Sequence, residues 1–551
     1  MKVLPENLLG ADLFWWREDG VFHTLITISG AIEINNALPR GSLPRANLTF
    51  ALFDIEGAFQ FAWNRKIESE ETLFIDSTII SDEHPEARKI SEGSLVIFVS
   101  AETELSDEVK KSYKRLYSLV DWRSEDGDLV SLHNDQSIKL RKDGTDSTSL
   151  RFTEIVVMET ASDVNYLVII NGMETQPAGS LTLEIKNHLG RTERAVYLNE
   201  MRPYSLHKIY LAHLFPRLVE FCEGRHATVS GEFEALGLFT RPYVMTEGRR
   251  LSGYHGGNLY DWTNFHRFIY KYLGRGEVNP MVVAERDGLS TTVNLLNTHG
   301  ELEEDFWVDA RLYDESGSLI AERERWLLAR RHQLSRGDIR ELLPDPNQSF
   351  TGHIALNFSS EFKAHYPGKL QALMEYRTPY GAARVMAWSD IWNARDRWNA
   401  FLDQMSTFEG FVENFGERYP VEARLINRCF YRVWYLPAII SYISVTNSGV
   451  TPDYDRTADY RLLLENGRGE ALIYHGAIAP QASDFVPIDQ FFPDVADFLG
   501  EQQFAMAVIE SEADLAVMHL SHNKNSGVYS AEHFMASASY HEGLTYNPCG
   551  A

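Results

Sequence analysis

Cysteine is scarce in this 551-residue chain, and the three present, Cys222, Cys429 and Cys549, are odd in number and far apart. That excludes a disulfide framework and a CxxC metal knuckle. Basic residues are also few: 52 Lys and Arg stand against 78 Asp and Glu, a formal charge of −26. Nucleic acid and anionic membranes are held by cationic patches, so the expected partners do not include nucleic acid. The densest basic stretch, around Arg325–Arg336, is too short to reverse that. Long apolar runs are missing. The longest, Tyr435–Val445, falls short of the roughly 20 residues a bilayer needs, so no membrane span is expected. Near the N-terminus Pro5, Glu6 and Asp12 interrupt any signal-peptide core, and the expectation is a soluble, cytoplasmic protein. Catalytic signatures are absent as well: there is no GxSxG elbow, P-loop, strand-linked GxGxxG or HExxH.

What is present is a repeat. The chain is too long for one core, since single cores stop growing at roughly 250–300 residues. Four segments share one order of features. Each opens on an alternating strand: FHTLITISGAIEI, TEIVVMETASDVNYLVIIN, NPMVVAERDGLSTTVNLLN and PAIISYISVTN. Each then enters a polar turn closed by Gly57, Gly190, Gly317 or Gly469. Asp or Asn shortly before Gly between apolar strands is a hairpin signal, because such turns need positive φ. A short apolar piece follows, a helical turn or strand crossing, and then two more strands.

Period-2 alternation with turns about every ten residues predicts a mainly β protein: a tandem array of four immunoglobulin- or fibronectin-like β-sandwiches. The expected domains are 1–125, 150–262, 275–395 and 430–551, with a connector at 396–429. Helical spacing predicts short helical connectors at Asp107–Val120, from Val109, Tyr113, Leu116 and Tyr117, and at Arg395–Met405. The aromatic content of 12% suits pleated inner faces.

Two heptads, YHGGNLY at Tyr254–Tyr260 and YHEGLTY at Tyr540–Tyr546, fit one pattern without a gap. They read as equivalent terminal strands of the second and fourth repeats, which would put His255 and His541 in corresponding places. His255, Tyr254 and Tyr540 are the candidate binding residues. The C-terminal run adds His519, His522, His533 and His541 around an NKNSG turn. Cross-strand neighbours approach to about 5 Å, so His519, His533 and His541 are the candidate metal ligands, for zinc or iron. Asp453, Asp455 and Asp459 offer oxygens in a loop without the glycine and terminal glutamate of a calcium hand.

With no catalytic signature, the expectation is a non-catalytic binding or assembly protein whose ligand is a protein, a small molecule or a carbohydrate. The alternative is a metal-dependent enzyme centred on the C-terminal histidines.

Overall fold

The computed structural model describes residues 5–34, 45–258, 276–388 and 425–546, apart from short stretches within them such as 105–112, 140–148, 297–304, 359–370 and 449–454. The described chain is mainly β, and its strands pair antiparallel throughout. In the first segment the strands are β1 (Leu8–Arg17), β2 (Phe22–Ile34), β3 (Arg45–Asp54), β4 (Phe59–Glu68), β5 (Thr72–Asp76), β6 (Glu92–Ala101), β7 (Tyr113–Ser124), β8 (Leu129–His133) and β9 (Gln136–Lys139). One sheet runs β4-β3-β6-β1-β9 and the other β5-β2-β7-β8.

That order recurs. In the second segment Thr192–Tyr197, Leu181–Asn187, Ala227–Glu234, Ser149–Val157 and Gly257–Asn258 repeat the first sheet, and Leu206–Tyr210, Val164–Ile170, Tyr243–Glu247 and Leu251–His255 the second. The third segment lacks only a β9 counterpart among the described residues. The fourth has one in Met535–His541 and adds Leu544–Tyr546 beyond it.

The glycine turns explain why the repeat is so regular. Asp54, Asn187, Asp314 and Asn466 each open a turn, and each accepts two backbone N–H groups on its Oδ1 at 2.9–3.1 Å. Gly57, Gly190, Gly317 and Gly469 close the turns at φ 81°, 77°, 87° and 77°. A side chain that caps its own turn and a residue free to take positive φ are what an Asx-type hairpin requires.

Each turn also leans on the next segment. Ile55 O accepts the Leu206 N–H at 3.0 Å, and Glu315 O accepts the Ser483 N–H at 3.1 Å. Gly190 lies beside Gln333 of the third segment, and Gly467 beside Phe74 of the first. The fourth turn therefore reaches back to the start of the chain. At the other edge of the inner sheets, β8 packs with Leu251–His255, that strand with Gly381–Trp388, and Gly381–Trp388 with Tyr529–His533, which returns to β8. Four sheet edges are covered by one another. Leu238–Thr240 of the second segment extends the first by pairing with β9.

Two expectations are corrected. The stretch predicted as a helix over Asp107–Val120 is strand from Tyr113, paired with β2 and β8 in register. Leu116, Ser118, Leu119, Val120, Asp121 and Trp122 are all buried, so both faces are covered and the alternation that marks a one-sided strand is missing. The described α-helices, such as Ser77–Glu83 and Leu211–Leu214, lie inside segments at the crossing to the sixth strand, not between segments. The Arg395–Met405 helix lies outside the described residues.

The second correction concerns the heptads. Tyr254 and His255 end the eighth strand of the second segment, pairing with Val244 and Tyr243. Tyr540 and His541 lie on the ninth strand of the fourth, pairing with Ile426 and Leu425 in the other sheet. The two places are not equivalent. Strand register gives the true counterparts: Thr27–Leu119–His133, Val168–Tyr243–His255, Asn294–Leu373–Met386 and Ser444–Met518–His533 occupy matching rungs of the second, seventh and eighth strands. His255 corresponds to His133 and His533.

Candidate functional site

The seam between the first and fourth segments is polar and buried. Asp121 on β7 accepts from Arg432 Nε at 2.6 Å and also from Ser131 and the Trp434 indole. Arg432 bonds Thr27 as well. Arg432 and Asp121 are fully buried. A buried pair of this kind needs further hydrogen bonds to offset its desolvation, and Ser131, the Trp434 indole and Thr27 supply several of them. Asn523 donates to Asp128 across the same seam at 3.3 Å.

Two rungs away, at Thr27–Leu119–His133, lie the histidines. His133, at the end of β8, has Nδ1 3.6 Å from Glu532 Oε2, and His533 Nε2 is 3.4 Å from Glu532 Oε1. The two imidazoles stand 4.8 Å apart between centroids, tilted by 59°. His133 and Glu532 are 3% and 1% exposed, while the His533 side chain retains 27% exposure. His533 Nδ1 lies 3.0 Å from Phe534 O. A carbonyl only accepts, so that contact places a proton on Nδ1, and Nε2 is the nitrogen turned toward Glu532. The three ligand atoms lie within 4.8 Å of one another, one from the first segment and two from the fourth.

Of the expected metal ligands, His533 is in this group. The hairpin turns at Asn523–Gly527, within the NKNSG stretch, and its register sets Glu532 opposite His519 and Met518 opposite His533. His519 therefore faces the carboxylate rather than the second imidazole. Its ring lies against Tyr431, 5.0 Å between centroids and tilted by 33°, and burial, with Arg432 adding to it, pushes its pKa down to about 3 against the opposing pull of Glu532. The side chains of His541, His255 and Tyr540 lie outside the described residues. Tyr254 is buried, and its hydroxyl donates to Val156 O at 2.8 Å, a core contact.

The seam between the second and third segments carries a matching charge. Glu375 takes the rung of Asp121: Leu25–Asp121–Ser131 corresponds to Thr292–Glu375–Arg384. Its carboxylate meets His226 Nε2, Arg384 Nε and Arg377 Nη2, each at 2.9 Å. Burial alone would raise its pKa, but Arg384, His226 and Arg377 hold it well below the usual carboxylate range. His226 Nδ1 accepts from Arg336 at 2.9 Å, so its Nε2 carries the proton donated to Glu375 and the ring is neutral. Burial first, then Arg384 and Arg336, lower the His226 pKa against the pull of Glu375.

Sequence reasoning left out His133, Glu532, His226 and Glu375. His133 had a readable signal: VSLH at Val130–His133, SGYH at Ser252–His255 and SAEH at Ser530–His533 end equivalent strands. No family model matches the chain, and no curated protein matches it.

Proposed function

We propose that this is a non-catalytic binding or assembly protein made of four tandem immunoglobulin-like β-sandwich domains closed into a ring. The observation that carries the reading is the contrast between the two kinds of sheet edge. The eighth strands cover one another, whereas the fourth strands, Phe59–Glu68, Thr192–Tyr197, Leu319–Ala329 and Ala471–Ile478, end their sheets among the described residues. Each carries an exposed apolar side chain: Phe59 at 39%, Val196 at 43%, Leu319 at 50% and Ile473 at 53%. An open edge with apolar side chains is a template for strand addition by a partner. Charged neighbours such as Arg65, Lys66, Glu322 and Glu324 on the same strands restrict which partners fit.

The test is sedimentation velocity across a concentration series, with Val196→Lys and Ile473→Lys as variants. Concentration-dependent assembly that both lysines reduce at least tenfold is the expected result. A wild-type protein that stays monomeric, and retains nothing on peptide and glycan arrays, would end this reading.

The alternative, a metal-dependent enzyme, is supported by the His133–Glu532–His533 group alone. Only His533 has an exposed flank there, which favours an ion held for structure over one that receives a substrate.

A further inference from the structure

We infer that His133, Glu532 and His533 bind one divalent transition ion of the zinc or iron(II) class, and that this ion clasps the first segment to the last. Metal–ligand bonds of about 2.0–2.2 Å in a tetrahedron put ligand atoms roughly 3.3–3.6 Å apart. Each imidazole already has a Glu532 oxygen near that spacing, His133 Nδ1 at 3.6 Å from Oε2 and His533 Nε2 at 3.4 Å from Oε1. With one atom taken from each residue, no edge of the ligand triangle exceeds 4.8 Å, so small side-chain shifts close it on an ion. Two imidazoles and a carboxylate suit zinc or iron(II), whereas calcium and magnesium prefer an all-oxygen set. The bond between His533 Nδ1 and Phe534 O is the outer-shell contact that aims a ligating imidazole and fixes its tautomer.

The position gives the ion its task. His133 ends β8, Glu532 and His533 end the equivalent strand of the fourth segment, and these strands form the contact that returns the chain to its start. Nothing covalent joins them there: they are some 400 positions apart by their own numbering, 532 against 133. A shared ion would hold that seam as a disulfide would, in a chain with three scattered cysteines.

The experiment uses the full chain, stripped with dipicolinate and reloaded with zinc, with iron(II) under anaerobic conditions, or with cobalt(II) as a spectroscopic probe. Metal analysis should find one ion per chain, and the metal retained from expression medium distinguishes zinc from iron. Cobalt should give the intense visible bands of a four-coordinate site. Hydrogen exchange in 129–133 and 529–533 should slow about 100-fold when free metal reaches about 100 times its Kd. His133→Ala and His533→Ala should each abolish the bands and the protection. Should either variant fail to fold, the cobalt titration of the wild-type chain decides by itself. A wild-type protein that takes up no stoichiometric ion, or a folded His133→Ala that keeps it, overturns the inference. So does an ion that leaves exchange at the seam unchanged. Failure here leaves the edge-strand assembly test untouched, because that test reads a different surface.

Discussion

Three imidazoles whose burial dominates their titration tie stability to pH. His207 is lowered to about 4, and His353 and His519 to about 3, by burial first. Folded, they stay neutral where the unfolded chain, with histidine near its ordinary 6.5, takes up protons. The unfolded state therefore binds more protons between about pH 6.5 and the folded values. Stability is fully present above that window and falls as pH drops through it, by up to about 1.4 kcal/mol per pH unit per histidine. Glu375, whose pKa is lowered, adds a loss below its ordinary value of 4.5. The melting temperature should drop steeply from pH 7 to pH 5. His353, bonded to Ser483 Oγ at 2.8 Å across the seam of the third and fourth segments, is the residue to replace. His353→Gln should flatten the slope measured by calorimetry. An unchanged slope would show that His353 does not carry it.

Among the elements, the four glycine turns share one backbone geometry and differ in surroundings. A Cβ on Gly469 would have nothing within 4 Å, whereas one on Gly57 would lie 2.2 Å from Pro203 O and one on Gly317 would lie 2.5 Å from Pro480 O. Gly469→Ala should cost only the left-handed backbone penalty, about 1–2 kcal/mol. Gly57→Ala and Gly317→Ala must also push back the neighbouring segment, and should cost at least about 1 kcal/mol more. Chemical denaturation of the three variants checks the order, and equal losses would mean that the turns do not press on the next segment. The turns were also the most legible elements in the sequence, because an Asp or Asn shortly before a Gly specifies its geometry within five residues. The strand at Tyr113–Ser124 was illegible for the opposite reason: its pattern is set by a second layer that local spacing does not reveal.

At the scale of the molecule, the closing seam depends on Asp121 and Arg432. Removing either leaves the other as an uncompensated buried charge, which typically costs about 3–5 kcal/mol. Asp121→Ala and Arg432→Ala should each lower stability by that order, and the double variant should cost well below their sum. A double-mutant cycle followed by thermal unfolding measures the coupling. Additive losses would mean that the two side chains act independently. Exchange in β7 and in Leu425–Trp434 should rise in the single variants while the second and third segments stay protected, since the Glu375 seam is intact.

Some of this architecture was written in short-range chemistry. Alternation, capped glycine turns and the helical turn after each fifth strand follow from residues within a few positions of one another, so the repeat and the mainly β character were readable. The grouping at the candidate site was not. Two copies of YHxGxxY look alike as strings but sit on different strands, because strand register, set by pairing partners far along the chain, decides which rung a histidine occupies. His133 and Glu532 meet only because the fourth segment returns to the first. That juxtaposition comes from packing whole sheets edge to edge, and no local pattern encodes the distance between residues so far apart in the chain.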